Sequence, residues 1–277
     1  MTKDEFWYTE VGYFAAPTYR LTFKVKKVIH KEKSLYQFIE IIDTYAFGRM
    51  LLLDGLVMVA EEDEYIYHEM LVHPAMVVHP NPKNILIIGG GDGGAAREVL
   101  KYEVEKVTIV DIDQRVIEVA KQYFPKMSKG FFDPRVKIVN ADGALYVKEN
   151  VNQFDIIFVD STSPIGLGAV LIDGTFLGNG AKSLASAESI WIAQTESIFK
   201  SQEFLPLYVN KLKKLFPIVK PYRAEITSYG GGWTFTFASQ KTNPLTPKRK
   251  YPPELKYYNS EVHQSCFILP EYLRSII

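Results

Sequence analysis

The chain has a single cysteine and no net charge, and both features exclude classes of protein. Cys266 has no second thiol with which to form an internal disulfide, a redox pair or a cysteine-rich metal cluster. Lysine and arginine together number 32, as do aspartate and glutamate. This balance argues against nucleic acid or an anionic membrane as the main partner, since such partners call for a basic excess.

Long apolar segments are also missing. No run of 18 apolar residues occurs, so no membrane span is expected. The first ten residues, MTKDEFWYTE, lack the apolar core of a secretory signal, and we therefore expect a cytoplasmic protein. The 277 residues are 47% hydrophobic and 23% charged, which is the composition of a globular protein with a sizeable core.

Residues 1–62 have the pattern of a small antiparallel β-domain. The Asp54-Gly55 dipeptide separates two apolar runs, which is a strong hairpin signal. A helix is expected at about Asp63–Val72, and the three prolines of the following HPAMVVHPNPKN predict a boundary or linker. The strands expected in the domain are Leu21–Ile29, Gln37–Asp43, Arg49–Leu53 and Leu56–Ala60.

Residues 63–277 change character at Asn84, where short apolar runs begin to alternate with amphipathic segments. This spacing predicts parallel βαβ units with right-handed crossovers. A last pair of strands is expected at Ile218–Ile226 and Trp233–Ser239. The earlier predicted strands are Ile85–Ile88, Val107–Val110, Val136–Val139 and Ile156–Val159.

Four successive predicted strands end in or near an aspartate. Ligands of open parallel sheets bind outside the carboxyl ends of the strands. One aspartate at such a position could simply cap a helix. Four along one edge, beginning in a glycine-rich loop, favour a composite binding site made of Asp92, Asp111, Asp142 and Asp160.

The loop Gly89–Gly94 (GGGDGG) and Asp111, about 20 residues farther on, indicate an adenosine-containing ligand. Glycines allow the backbone to approach a ligand closely, and Asp111 suits ribose hydroxyls. Asp92 in the loop would repel a pyrophosphate, which backbone N–H groups otherwise attract. It would favour a cation such as a sulfonium or ammonium group, so S-adenosyl chemistry is favoured over a dehydrogenase.

Together these segments resemble the spermidine synthase family over essentially the whole chain. The matching motifs are GGGDGG with AREVL after it, VDID, DG, VDST, the upstream YQ and DEYIYHEM, and the downstream AQTES and GWTFTFAS. The resemblance implies an α/β fold: a Rossmann-like, methyltransferase-type seven-stranded sheet domain preceded by the small β-domain. It also implies aminopropyl transfer from decarboxylated S-adenosylmethionine to a diamine, with no metal or further cofactor, in a homodimer or homotetramer.

The resemblance also implies roles for individual residues. Asp160 is expected to accept the proton, helped by Tyr67. The implied donor-binding residues are Gln37, Asp92, Asp111, Asp142, Gly143 and Leu167. The implied amine-binding residues are His68, Asp92, Asp160, Ser163, Gln194 and Tyr229.

Departures from the family pattern surround the expected acceptor half of the site. Ser163 stands where the family has an acid, and Leu167 where it has a proline. The acceptor therefore stays open among putrescine, cadaverine and agmatine. A methyltransferase using ordinary S-adenosylmethionine and an inactive polyamine- or nucleoside-binding protein are the remaining alternatives. Glu196 is expected to cap a turn, and the histidines of the proline-rich segment, His73 and His79, to be structural.

Overall fold

The computed structural model describes residues 6–10, 20–161 and 166–277, and its architecture rests on two β-sheets. The first is antiparallel, in the order β1-β2-β3-β4-β5. Asp54 and Gly55 form the expected tight turn between its last two strands, both with positive φ. Its strands are β1 (Trp7–Thr9), β2 (Thr22–Lys33), β3 (Phe38–Thr44), β4 (Gly48–Leu53) and β5 (Leu56–Ala60).

Helix α1 (Glu64–Met76) follows and continues through Pro74. The linker predicted at residues 73–84 begins too early, because its first four residues belong to this helix and the irregular connection to the next strand covers residues 77–83. Proline lacks the N–H that would bond the carbonyl four residues earlier. That carbonyl, on Met70, instead accepts a 2.9 Å hydrogen bond from the buried hydroxyl of Tyr222. A distant side chain therefore satisfies the acceptor that Pro74 leaves free.

The second sheet has seven strands in the order β11-β12-β10-β9-β6-β7-β8. Strand β12 is antiparallel to both of its neighbours, and the other pairs are parallel. The predicted fold class is confirmed, although the sequence did not locate β10. The strands are β6 (Asn84–Gly89), β7 (Lys106–Asp111), β8 (Val136–Asn140), β9 (Ile156–Asp160), β10 (Ile190–Gln194), β11 (Ile218–Ile226) and β12 (Gly231–Ser239).

Helices cover both faces of this sheet. Ile85 and Ile87 of β6 pack into one core with α1 and α2, while Leu86 and Ile88 pack into a second core on the opposite face. Burying each such side chain stabilises the fold by roughly 1.5–3 kcal/mol. The helices after α1 are α2 (Gly94–Val99), α3 (Gln114–Tyr123), α4 (Gly143–Glu149), α5 (Gly174–Ser183), α6 (Phe204–Lys213), α7 (Ser260–Cys266) and α8 (Glu271–Arg274).

The first sheet packs against α3 of the second domain. Ile39, Ile41 and Leu51 share a buried cluster with Val116 and Val119 of that helix. This contact holds the first sheet over the carboxyl edge of the second, where the functional site lies. Among the described residues no helix has both the length and the apolar character needed to cross a membrane.

Candidate active site

The site lies where the chain reverses its direction of travel across the second sheet. From β6 the chain goes outward to β7 and β8, and then returns to place β9 on the other side of β6. Gly89 at the end of β6 pairs with Asp160 at the end of β9. Gly89 has φ +81°, and a Cβ there would lie 2.0 Å from the Asp160 carbonyl oxygen. Only glycine allows this approach, which opens the crevice that binds ligands in such sheets.

A cavity of about 300 Å³ occupies this crevice and extends beneath the first sheet. Ser163 lies outside the described residues, as does the side chain of Leu167, whose backbone belongs to the 3₁₀ helix Gly166–Ile172. His68 is not among the lining residues. The expected site residues that do line the cavity are Gln37, Tyr67, Asp92, Asp111, Asp142, Gly143, Asp160, Gln194 and Tyr229.

One end of the cavity is built by the loops after β7 and β8. Burial raises the pKa of Asp111 to about 6, although the backbone N–H of Asp113 donates to its Oδ1 at 2.8 Å. Asp142 caps α4, accepting from the backbone N–H of Ala144 at 2.7 Å, and also lines the cavity. Capping and lining are therefore combined in one side chain.

Gln37 reaches this end from the first sheet. Its amide nitrogen donates a 2.9 Å hydrogen bond to Oδ2 of Asp113, and the Ser34 hydroxyl donates to the same oxygen at 2.6 Å. Asp113 also caps α3 through its other oxygen. This aspartate fixes the start of β3 to the β7–α3 loop, and so fixes the height of the first sheet over Asp111.

Asp160 lines the cavity from the end of β9, beside Gly89. Its Oδ1 accepts a 2.6 Å hydrogen bond from the Tyr67 hydroxyl, while its Oδ2 is buried without a hydrogen-bond partner among the described residues. Burial, and next the charge of Asp92, raise the pKa of Asp160 to about 7. The pKa of Tyr67 is raised well above its ordinary value by burial and by Asp160, so Tyr67 stays a donor. The free oxygen is thus a basic acceptor near neutral pH.

Asp92 lies beside Asp160 in the glycine-rich loop and is held as a carboxylate. Its Oδ1 accepts from the Gly94 N–H at 2.7 Å and lies 3.2 Å from Nε2 of His68. Burial acts to raise the pKa of Asp92, but the His68 charge holds it below its ordinary value. A Cβ on Gly94 would lie 2.2 Å from the His68 ring, so this glycine lets the ring reach Asp92.

His68, which is expected to bind the amine, lies behind Asp92 and does not line the cavity. Its ring is buried, and its Nδ1 is 2.7 Å from Oε2 of Glu64. Burial acts to lower the pKa of His68, yet the two carboxylates raise it well above 6.5. The ligand atoms of His68, Asp92 and Asp160 lie within 4.8 Å of one another, and the two carboxylates beside His68 favour its protonated form, which donates instead of accepting.

The largely buried side chain of Arg97 holds Glu64, and through it His68, in position behind Asp92. Arg97 of α2 makes a two-pronged pair with Glu64, with distances of 2.7 and 2.8 Å. His68 and Arg97 together lower the pKa of Glu64 to about 2, although burial alone would raise it. The side-chain charges therefore alternate in sign from the cavity wall inward, in the order Asp92, His68, Glu64 and Arg97.

Comparisons with known proteins agree with this geometry. Residues 64–250 match a family model described as the spermine/spermidine synthase domain, and residues 6–61 match one described as the spermidine synthase tetramerisation domain. The chain belongs to the spermine/spermidine synthase family. It is an enzyme, a polyamine aminopropyltransferase, as the resemblance in its motifs predicted.

Relatives of this family match along nearly all of the chain. The polyamine aminopropyltransferase of Shouchella clausii is 41% identical over 99% of both chains. Polyamine aminopropyltransferase 1 of Aquifex aeolicus is 45% identical, covering 93% of this chain and 92% of the relative. A spermidine synthase solved with the transition-state analogue AdoDATO has a TM-score of 0.94 at 41% identity, covering 99% of this chain and 95% of its own. Spermidine synthase from Thermotoga maritima has a TM-score of 0.92 at 41% identity, and the match covers 99% of this chain and 94% of the Thermotoga chain.

The opposite end of the aminopropyltransferase cavity contains residues that the sequence did not single out as site residues. Gln194, which was expected there, donates to the Ser161 carbonyl at 3.1 Å. Tyr229, also expected, donates to the Met58 carbonyl and packs its ring against Trp233. The unexpected lining residues are Glu10, Glu196, Lys200 and Trp233.

Proposed function

We propose that the enzyme transfers the aminopropyl group of decarboxylated S-adenosylmethionine to putrescine, giving spermidine and methylthioadenosine. One observation carries the proposal: Asp160 presents a buried, unpaired carboxylate oxygen to a cavity that it shares with Asp92. A base with a pKa of about 7 and a neighbouring fixed anion suit a reaction between two cationic substrates.

The donor is proposed to bind at the end formed by Asp111, Asp142 and Gly143. Asp111 is assigned to the ribose hydroxyls, and Asp142 with Gly143 to the adenine, with Gln37 beside the sulfur. Apolar side chains line the same end and suit a nucleoside, namely Leu51, Leu53, Ile88, Val110 and Val116. The relative of the same fold that binds the transition-state analogue AdoDATO supports assigning this reaction to the enzyme.

Asp160 is proposed to accept the proton of the attacking amine. An alkylammonium group has a pKa of about 10.4, so near pH 7 it is almost wholly protonated and not nucleophilic. The ammonium group first gives a proton to Asp160, which frees the lone pair of its nitrogen. That lone pair forms the C–N bond as the C–S bond breaks, and the electron pair of the C–S bond goes to sulfur, which leaves as a neutral thioether. Tyr67 holds the carboxylate so that its second oxygen faces the amine.

Asp92 is proposed to select the decarboxylated donor. Its charge attracts the amino group at the end of the aminopropyl chain. Ordinary S-adenosylmethionine carries a carboxylate next to that amino group. Two like charges about 4 Å apart at an effective dielectric near 20 repel by roughly 4 kcal/mol. This repulsion disfavours methyl-donor chemistry and supports aminopropyl transfer.

Putrescine is proposed as the acceptor because the family's other expected site residues are present, with Gln194 and Tyr229 lining the acceptor end. The reaction as written needs no metal and no cofactor beyond the donor. A homodimer or homotetramer is proposed on the match of residues 6–61 to the tetramerisation domain.

A panel of amines tests the proposal. The enzyme is incubated with decarboxylated S-adenosylmethionine and putrescine, cadaverine, agmatine or spermidine, and methylthioadenosine release is measured. We expect release with putrescine at the highest kcat/KM. A higher kcat/KM with cadaverine or agmatine would mean that this amine, and not putrescine, is the preferred acceptor. Activity with ordinary S-adenosylmethionine alone would overturn the donor assignment.

A further inference from the structure

A buried ion pair lies at the acceptor end of the cavity, the end lined by Gln194, Tyr229 and Trp233. Nζ of Lys200 lies 3.1 and 3.3 Å from the two carboxylate oxygens of Glu10. The side chains are only 9% and 2% exposed, and both residues line the cavity. The backbone N–H of Val57 donates to Oε1 of Glu10 at 3.1 Å. The Glu10 carboxylate is therefore both neutralised and hydrogen-bonded.

The pair is connected to the reaction centre by a wall of aromatic rings. The Tyr67 ring, whose hydroxyl holds Asp160, contacts the Tyr229 ring at 5.8 Å between centroids. Tyr229 contacts Trp233 at 4.7 Å, and Nζ of Lys200 lies 5.9 Å from the centre of the Trp233 ring. An acceptor that extends from Asp160 along this wall would bring its far end towards Lys200.

A lysine is an unexpected charge in such a place. Among the described residues that line the cavity, Lys200 carries the single lysine or arginine side chain, whereas the substrates are cations. A like charge at a shielded position repels an ammonium group, and an unpaired carboxylate there would attract one. The Glu10–Lys200 pair therefore removes an attractive charge from the far end of the cavity.

We propose that Lys200 is a specificity-determining residue, which masks Glu10 and so favours short diamines over acceptors that carry a further ammonium group, such as the triamine spermidine. The inference rests on the proposed transfer to an amine. It concerns binding of the far end of the acceptor and leaves the chemistry at Asp160 unchanged.

The test compares kcat/KM for spermidine and putrescine in four variants. Lys200→Met keeps the apolar stem and removes the charge, and should raise the spermidine-to-putrescine ratio about tenfold. Lys200→Arg keeps the charge and should leave the ratio within about twofold. Glu10→Gln leaves Lys200 unmasked and should lower the ratio. The double variant Glu10→Gln/Lys200→Met removes one positive and one negative charge together, as the intact pair does by neutralisation, and should return towards the parent ratio.

The ratio separates specificity from damage, because a structural defect lowers kcat/KM for both acceptors together. An unchanged ratio in Lys200→Met, or an equal fall for both amines, would overturn the inference. If thermal unfolding shows that Lys200→Met does not fold, Glu10→Gln decides, and a raised or unchanged ratio there overturns it. A parent enzyme inactive with every amine would instead reject the proposed function.

Discussion

The hydroxyl of Tyr67 and Oδ1 of Asp160 are joined by a 2.6 Å hydrogen bond that spans 93 positions of the chain. It links α1, which follows the first sheet, to the end of β9 at the reversal point of the second. The same helix carries Glu64 and His68, which support Asp92 from behind. One helix therefore sets the positions of both cavity carboxylates, and its anchoring by Tyr222 bears directly on the active site.

The rate should depend on pH through Asp160. A pKa of about 7 means that the carboxylate, which is the form able to accept a proton, is lost below neutrality. We expect kcat/KM for the donor, at saturating amine, to fall about tenfold per unit below pH 7 and to level off above it. Methylthioadenosine release from pH 5 to 9 measures this.

Asp160→Asn keeps the acceptor oxygen for Tyr67 but cannot take the proton. Its activity should fall by about 10²–10⁴, with no inflection near pH 7. A variant that retained more than a tenth of the parent activity, or the parent's pH profile, would show that Asp160 is not the base.

The same substitution should stabilise the fold at alkaline pH. The pKa of Asp160 is raised from 3.8 to about 7 by folding. Its contribution to stability is therefore complete below pH 3.8 and is lost as pH rises through about 7. Asparagine has no such loss, so the free energy of unfolding of Asp160→Asn relative to the parent should grow by up to about 3 kcal/mol between pH 5 and pH 8. Urea unfolding at both pH values tests this, and a constant difference would contradict it.

Asp92→Asn should weaken the discrimination between the two donors. The amide removes the negative charge that attracts the donor's amino group and repels a carboxylate. The Kd of decarboxylated S-adenosylmethionine should rise. The preference of the enzyme for this donor over ordinary S-adenosylmethionine, expressed as the ratio of the two Kd values, should fall tenfold or more. Calorimetry with both donors measures the two constants. An unchanged ratio would remove the electrostatic account of donor choice.

Arg97 and Arg115 form a matched pair for testing the buried charges. The Arg97 side chain is 11% exposed and pairs with Glu64, whereas the Arg115 side chain is 49% exposed and pairs with Glu32 and Glu118. Arg97→Met leaves Glu64 with His68 as its remaining partner and also removes a partner of the buried Glu98. It should cost up to about 3 kcal/mol of stability, the lower bound for a buried charge left with no partner at all. It should also raise the donor KM, because Glu64 and His68 lose their anchor behind Asp92.

Arg115→Met is the control for this prediction. Water screens an exposed pair, so the control should change Tm far less and leave the donor KM unaltered. Equal Tm losses in the two variants would mean that the buried Arg97–Glu64 pair contributes no more to stability than the exposed pairs of Arg115.

The elements that could be predicted are those that local pattern determines. Asp54 and Gly55 specify their turn by residue type, and the apolar runs around Ile85 and Ile156 specify strands buried on both faces. Topology then predicts that Asp92 and Asp160 meet, because both follow neighbouring parallel strands.

The features that escaped prediction depend on contacts far apart in sequence. Nothing near Pro74 indicates that Tyr222, 152 positions away in β11, will satisfy the helix at that point. Glu10 and Lys200 are 190 positions apart, and neither lies in a recognisable motif. His68 does lie in a motif, but a motif does not reveal which side of Asp92 the ring occupies.

Two glycines in one helix give a direct test of packing against helix propensity. The sequence alone makes Gly178 and Gly180 equally unfavourable in α5, since each costs about 0.8–1.0 kcal/mol relative to alanine. A Cβ at Gly178 would meet nothing within 4 Å, but a Cβ at Gly180 would lie 2.2 Å from the Trp191 ring. We expect Gly178→Ala to stabilise the enzyme by up to about 1 kcal/mol. Gly180→Ala should destabilise it by about 1–3 kcal/mol through overpacking. Urea unfolding of both variants beside the parent decides the matter, and a shift in the same direction for both would contradict the close approach of α5 to β10.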